Sequence, residues 1–243
     1  MHVPTNLVAQ TAATFTEGND LYDKLQARTT NEVFIEPTTH IVNPFFVSDK
    51  LDALSKYAEK AMGYKLAAHA VAKKVDSDIL ATSDNFTTTD VNSGGSTITN
   101  LDLTEAKARI DENDVPEGDR FWIFNPWVIK DLYDLTGNYF TSMDFGADAA
   151  LVKGFTGKGI LGSPVYLSTN MPSAAAGSPA QPIITNLYAH KDAIGWAAHW
   201  LDQNQEDYDL RYQGTLYNVR SMFGCKMLHG AKGVQIKRQS TTG

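Results

Sequence analysis

The chain holds a single cysteine, Cys225, among 243 residues. An intrachain disulfide framework is therefore excluded. Cys225 lies in the apolar run MFGCKML, a context that reads as a buried, inert thiol. No apolar run approaches the roughly 20 residues needed to span a bilayer. The N-terminus lacks a positive region followed by a long apolar stretch, so no signal peptide is read and synthesis in the cytosol is expected. The sequon Asn85-Phe-Thr87 carries no weight without such a signal. An excess of positive charge is missing too. A formal net charge of −7 argues against a dedicated nucleic-acid-binding domain, which would be basic overall.

Chemistry-bearing motifs are equally scarce. Six histidines (His2, His40, His69, His190, His199, His229) are scattered without metal-ligand spacing. GKGILG, with Gly157, Gly159 and Gly162, formally matches G-x-G-x-x-G, but SPVYL follows it where a dinucleotide site needs a helix N-terminus. The P-loop pattern fails because Lys158 is followed by Gly159. The acidic run from Asp111 fails the calcium-loop pattern, with Pro116 at the position that requires glycine. Ser163, Ser168 and Ser221 lack a nucleophile-elbow context. Trp122, Trp127, Trp196 and Trp200 read as core or interface anchors. No catalytic residue, metal or cofactor is expected, and the chain does not read as an enzyme.

What is present is structural grammar. Hydrophobic residues at 42% and charged residues at 20% describe a folded chain with a sizeable core. Residues 1–47 are polar and threonine-rich, except for NEVFIEPTTHIVNPFFV. There Val33 and Ile35 alternate with Glu32, Phe34 and Glu36, a strand pattern that Pro37 and Pro44 confine to an edge or an extended arm. Ser48 then caps a helix with Asp49 and Asp52 in its first turn. Leu51, Leu54, Tyr57, Ala61, Tyr64, Ala68, Val71, Val75 and Ile79 form an apolar stripe, which predicts one helix to about residue 82, on the order of 50 Å long. Gly63 in its middle marks a bend or a close crossing.

A polar loop follows over 83–100 with Gly94-Gly95 at its tip, then a helix from Leu103 to Glu112. FWIF, Phe121 to Phe124, reads as a strand buried on both faces. Asn125-Pro126 is an N-cap followed by proline at the first helical position, so a helix runs from Trp127 to Leu135 and Gly137 closes it. A short helix is expected over 147–153. Strands are expected over 164–168 and 182–189, with a loop over 173–181 between them. After a turn at Lys191-Asp192 come an apolar stretch over 193–201 and an exposed acidic one, QNQEDYD. Two further strand segments, 216–219 and 222–228, and a last one over 233–237 end the fold, with Val234 and Ile236 inward.

The order of these blocks resembles a known family. An extended arm, the helix SDKLDALSKYAEKAMGYKLAAHAVAKKVDSDIL, DVPEGDRFWIFNP, GILGSPVYLSTNMP, NLYAHKDAIGWA and LRYQGTLYNVRSMFGCKMLHGAKGVQI follow one another. In this order they resemble the major capsid protein of tailed bacteriophages, over most of residues 31–238. The resemblance implies an α+β Hong Kong 97-like fold. Its parts would be an N-terminal arm and extended-loop strand over 1–47, a peripheral domain over 48–99 plus 206–243 with a spine helix over 48–82, and an axial domain over 100–205. Only 47 residues precede the helix, fewer than is usual in the family. Either the arm and loop are short, or the chain lacks its natural start. The cross-linking known in some members is not carried over, because no motif here identifies its Lys, Asn and carboxylate partners.

The implied function is that of a structural subunit. It would self-assemble as homo-pentamers and homo-hexamers into an icosahedral shell around double-stranded DNA, after synthesis in the bacterial host cytoplasm. Scaffolding, portal and decoration proteins are implied as partners, and a membrane is not. Candidate contacts between subunits are Val33, Ile35, Phe45 and Phe46 of the arm. The acids Asp111, Glu112 and Asp114 and the bases Arg220 and Lys226 join them, as local charges of opposite sign that could meet across an interface. Lys232, Lys237 and Arg238 are candidates to face packaged DNA in the interior, since residues 217–243 carry five bases and no acid. Two other classes stand beside this one: a cytosolic α/β enzyme with a carboxylate and histidine site, and a monomeric surface binding module.

Overall fold

The computed structural model describes residues 2–5, 31–55, 58–92, 97–134, 159–176 and 181–239. The glycine tip at 94–95, the helix stop at Gly137, the helix expected over 147–153, Gly157 and residues 177–180 of the expected loop lie outside these residues.

Two sheets organise the chain. The first is built from β3 (Thr39–Ser48), β9 (Gly214–Met227) and β8 (Ile194–Asp209), antiparallel in the order β3-β9-β8. The second holds β10 (Gly233–Gln239), β7 (Gln181–His190), β4 (Arg120–Phe124) and β5 (Val165–Leu167) in that order, with β6 (Ser173–Ala176) also paired to β7. Among the described strand pairs of this sheet β4–β5 is parallel, and Val91 adds a single parallel bridge to Ile236 of β10. A separate two-stranded ribbon joins β1 (His2–Thr5) to β2 (Asn31–Phe34).

The long helix departs from expectation. It is divided into α1 (Asp49–Leu54) and α2 (Glu59–Ala81). Ser48 caps α1 as expected, its Oγ accepting from the Leu51 N–H at 3.2 Å. Ser55 then leaves helical geometry (φ −72°, ψ 133°), and its hydroxyl donates to Glu59 Oε1 at 2.6 Å. Nothing in α1 is buried, so no packing holds it in line with α2. Helix α2 spans about 35 Å at 1.5 Å per residue. It buries Ala67, Val71 and Leu80, and Tyr64 and Val75 pack beside them. Gly63 is a close crossing: a Cβ there would overlap the Phe45 ring.

Helix α3 (Asn100–Glu112) starts three residues earlier than its apolar pattern indicates, because Asp102 accepts from the Thr99 N–H at 2.6 Å. Leu103, Ala106 and Ile110 are its buried face. Helix α4 (Pro126–Asp134) begins as the Asn125-Pro126 pair predicts, with Asn125 Oδ1 accepting from the Trp127 N–H at 3.1 Å. Both helices cover one face of the second sheet, where Trp122, Phe124, Tyr188, Val234 and Ile236 are fully buried. Trp122 stacks on Tyr188 with ring centroids 3.8 Å apart. Leu80, Ile184, Leu187 and Ala189 pack on the other face, with Phe121 and Ile123 partly buried beside them. FWIF is thus covered on both sides.

Three further segments differ from the sequence reading. Ser173–Ala176, expected as loop, pairs with β7. The acidic stretch QNQEDYD is exposed, as expected, but it also forms the second half of β8, paired along its length with β9. The expected boundary between 205 and 206 therefore falls inside one strand. The two strand segments expected after residue 216 are one strand, β9. Its Cys225 is half-buried, with Sγ 3.5 Å from the Asp78 carbonyl oxygen.

Candidate assembly surface

Alternation along β3 sorts its side chains between two faces. Ile41 and Phe45 turn toward α2. Phe45 stacks on Tyr217 at 5.1 Å and meets Tyr64 edge-on at 5.3 Å. Val42 and Phe46, on the opposite face, are exposed. Phe46 pairs across the ladder with exposed Leu216, and Val42 pairs with Arg220. Arg220 lies over the Trp200 ring, 4.5 Å from its centroid, and its Nη2 donates to Gln203 Oε1 at 3.0 Å. At the tip, Tyr212 meets Phe46 edge-on, and the Tyr208 hydroxyl donates to Asp49 at 2.7 Å.

An ionic cluster joins α2 to β8. Lys60 Nζ and the Tyr64 hydroxyl both donate to Glu206, at 3.1 and 2.9 Å. Burial, then the bond to Glu206, push the Tyr64 phenol up to about 12. The Lys60 bond holds the Glu206 carboxyl below its ordinary range. Leu51, Leu54, Met62 and Leu66 of the two helices are exposed.

The arm residues divide. Ile35 is 3% exposed and fills space beside Gly195 and Leu228 of its own chain, so it is corrected from contact candidate to core. Val33 is half-buried. Phe45 is held by Tyr64 and Tyr217, while Phe46 is available. Among the acids, Asp111 is engaged by Arg120, whose side chain is buried and also donates to the carbonyls of Val115 and Pro116. Glu112 and Asp114 are exposed, and Asp114 adopts φ +52°. Lys226 is exposed on β9.

The expected DNA-facing bases are largely engaged within the fold. Arg238 is 2% exposed and paired with Asp131, which removes it from a surface role. Lys237 pairs with Asp90, and Lys232 lies 3.4 Å from Asp192. Sequence spacing could not reveal these partners, which lie 40 to 147 positions away.

Among the described residues no group of three or more His, Cys, Asp or Glu side chains is arranged to hold a metal ion. No described helix is long and apolar enough to cross a membrane. A surface pocket of about 500 Å³ lies along β8, lined by Pro37, Trp196, Ala197, Ala198, His199 and Leu201. Among the described residues that line it, His199 is the titratable side chain.

No protein-family profile and no curated protein sequence matches the chain. Solved structures do. A chain of Mycobacterium phage Che8 is 18% identical with a TM-score of 0.67, covering 97% of this chain and 83% of that one. The capsid of cyanophage P-SCSP1u gives 19% identity and a TM-score of 0.67, covering 99% and 83%. The chain has the Hong Kong 97-like phage capsid fold. This capsid fold extends to an encapsulin complex from Synechococcus elongatus, at 11% identity and a TM-score of 0.54 over 88% of this chain and 78% of that one. The α+β architecture and the family resemblance read from the sequence are thereby confirmed at the level of fold. In this capsid fold the three-stranded sheet, α1 and α2 carry the exposed apolar side chains described above.

Proposed function

We propose that this chain is the repeating structural subunit of an icosahedral phage head. It assembles as pentamers and hexamers and encloses double-stranded DNA. The observation that carries this reading is a capsid fold spanning nearly the whole chain. The exposed apolar row at Val42, Phe46 and Leu216, with Leu51, Leu54, Met62 and Leu66, supports it. A closed shell needs several moderate interfaces per subunit that close by symmetry. Weak contacts suffice when each subunit makes many of them. The reading assigns no catalytic step to the chain.

In this reading α1 and α2 are the spine, and the three-stranded sheet with them is the peripheral domain. The second sheet with α3 and α4 is the axial domain. The boundary lies at the turn over 191–193 rather than inside β8. Phe46, Glu112, Asp114, Arg220 and Lys226 are contacts to neighbouring subunits. Lys232 and Lys237, each partly exposed beside its carboxylate, remain as bases for non-specific contact with DNA. Scaffolding, portal and decoration proteins are the further partners, and the mature location is the virion after synthesis in the host cytoplasm.

The test is size and contents. The chain is expressed alone, and its mass distribution is recorded by sedimentation velocity and negative-stain imaging. Pentamers, hexamers or closed shells are expected. Coexpression with the other head components then tests for nuclease-protected DNA inside the particles. A chain that stays monomeric in both settings overturns the reading.

A further inference from the structure

Two histidines sit where the chain passes from one sheet to the other. His190 ends β7, and the turn 191–193 leads into β8. His229 precedes the short 3-10 turn Gly230–Lys232 that leads from β9 to β10. The two crossings are tied to each other. The N–H groups of Leu228 and His229 both donate to the Ala193 carbonyl oxygen, at 2.9 and 3.2 Å. Lys232 Nζ lies 3.4 Å from Asp192 Oδ2.

The His190 side chain is 6% exposed, and its Nδ1 faces two competing groups of one residue. The Asp192 N–H donates to Nδ1 at 3.2 Å, which requires a lone pair on that nitrogen. Asp192 Oδ2 stands 3.4 Å from the same nitrogen and can accept from it only when Nδ1 carries a proton. The two arrangements exclude each other. The same carboxylate is the partner of Lys232 on the other crossing.

We infer that this junction is a proton-operated hinge. One proton bound at His190 Nδ1 replaces the Asp192 amide by its carboxylate, draws that carboxylate from Lys232 and loosens the tie between the two sheets. The inference rests on the fold and not on the reading of the chain as a shell subunit.

Burial sets the direction of the hinge, and the charged groups around it modulate that direction. Around His190 these are Asp192, Lys232, Asp119 and Lys191, with Lys191 paired to Asp119 of the loop before β4. Around His229 they are Lys232, Asp192 and His190. Burial is the main cause that holds both imidazoles below their ordinary 6.5, with Lys232 adding to it and Asp192 opposing. The unfolded chain therefore takes up protons first as pH falls. The stabilisation is complete above the unfolded value and is lost as pH drops through the lower folded values.

Hydrogen exchange read by mass spectrometry on the full chain tests this, from about pH 7.5 to about pH 4.5 with rates corrected for intrinsic pH dependence. Peptides covering 190–193 and 228–232 are expected to exchange faster together below the midpoint, by about tenfold per pH unit for one linked proton. Peptides covering β4 and the centre of β10 stay protected. Asp192→Asn keeps the amide donor and lacks the carboxylate. It shifts the onset to lower pH and uncouples 228–232 from 190–193. His190→Gln abolishes the step. Flat protection at the junction across the range, or a step unchanged in Asp192→Asn, overturns the hinge. Asp192 is half-exposed, so that variant decides the matter even if His190→Gln does not fold.

Discussion

Arg238 of β10 and Asp131 of α4 form a buried ion pair, with both guanidinium Nε and Nη2 directed at the carboxylate and the Nη2–Oδ1 distance 2.7 Å. Both side chains are nearly inaccessible to solvent. Removing one partner leaves an uncompensated buried charge, which costs about 3–5 kcal/mol. Asp131→Ala is therefore expected to lower the unfolding free energy of the unassembled chain by that amount in urea melts. Replacing both residues by apolar ones of similar volume, Asp131→Leu with Arg238→Met, is expected to recover most of the loss. A double variant as unstable as the single one would show that the pair itself, not the orphaned charge, holds α4 to β10.

Asn186 makes a different kind of tie. It is fully buried, its Oδ1 accepts from the Asn125 N–H at 2.8 Å, and its Nδ2 donates to the Ile236 carbonyl oxygen at 3.2 Å. One side chain thus joins the residue that caps α4 to β10. Asn186→Ala leaves the buried Asn125 N–H unpaired, and such a group costs about 1–3 kcal/mol. The expected readout is a lower melting temperature together with faster exchange of the Asn125 amide. Unchanged exchange there would place the loss elsewhere.

These two ties explain what the sequence could and could not disclose. The helix start at Asn125-Pro126 and the inward Val234 and Ile236 were legible because capping and alternation are local signals. The Arg238–Asp131 pair was not, since its members lie 107 positions apart and a terminal arginine in a basic run reads as surface. The second half of β8 was illegible for another reason. Gln203, Asn204, Gln205 and Glu206 show no apolar alternation, and only their pairing with β9 makes them a strand. The break at Ser55 was hidden because Leu51 and Leu54 continue the apolar stripe of α2 yet bury nothing. Of the candidate surface, Phe46 was read from the arm pattern and is exposed. Ile35 was misplaced because alternation gives a face but not what covers it.

Gly224 shows where backbone meets backbone. A Cβ there would overlap the Glu36 carbonyl oxygen, and Pro37 stands next to it. Neither is the end of a flexible side chain, so the neighbour cannot step aside. Gly224→Ala is expected to destabilise by about 1–3 kcal/mol, as overpacking of a well-packed site does. Gly118→Ala is the matched control, because a Cβ there meets nothing within 4 Å. That substitution should be neutral or stabilise by up to about 1 kcal/mol through the unfolded chain. Equal melting temperatures for the two variants would refute the steric account.

Phe45 and Phe46 are adjacent in sequence and opposite in consequence. Phe45 lies against Gly63, Tyr64 and Tyr217, in the seam between β3 and α2. Phe45→Ala is expected to lower stability through the lost packing, by less than the about 3–5 kcal/mol of a fully buried phenylalanine because Phe45 is partly buried. Phe46 is 43% exposed and pairs with Leu216, itself 44% exposed. Phe46→Ser should change the melting temperature of the unassembled chain little, since exposed substitutions usually stay within about 0.5 kcal/mol. Its effect should appear in sedimentation, as a loss of large assemblies at concentrations where the parent chain forms them. Leu216→Ser should do the same, because the two side chains form one cross-strand patch. If both variants assemble like the parent, this face of the sheet is not between subunits, and the exposed helical residues Met62 and Leu66 become the next surface to alter.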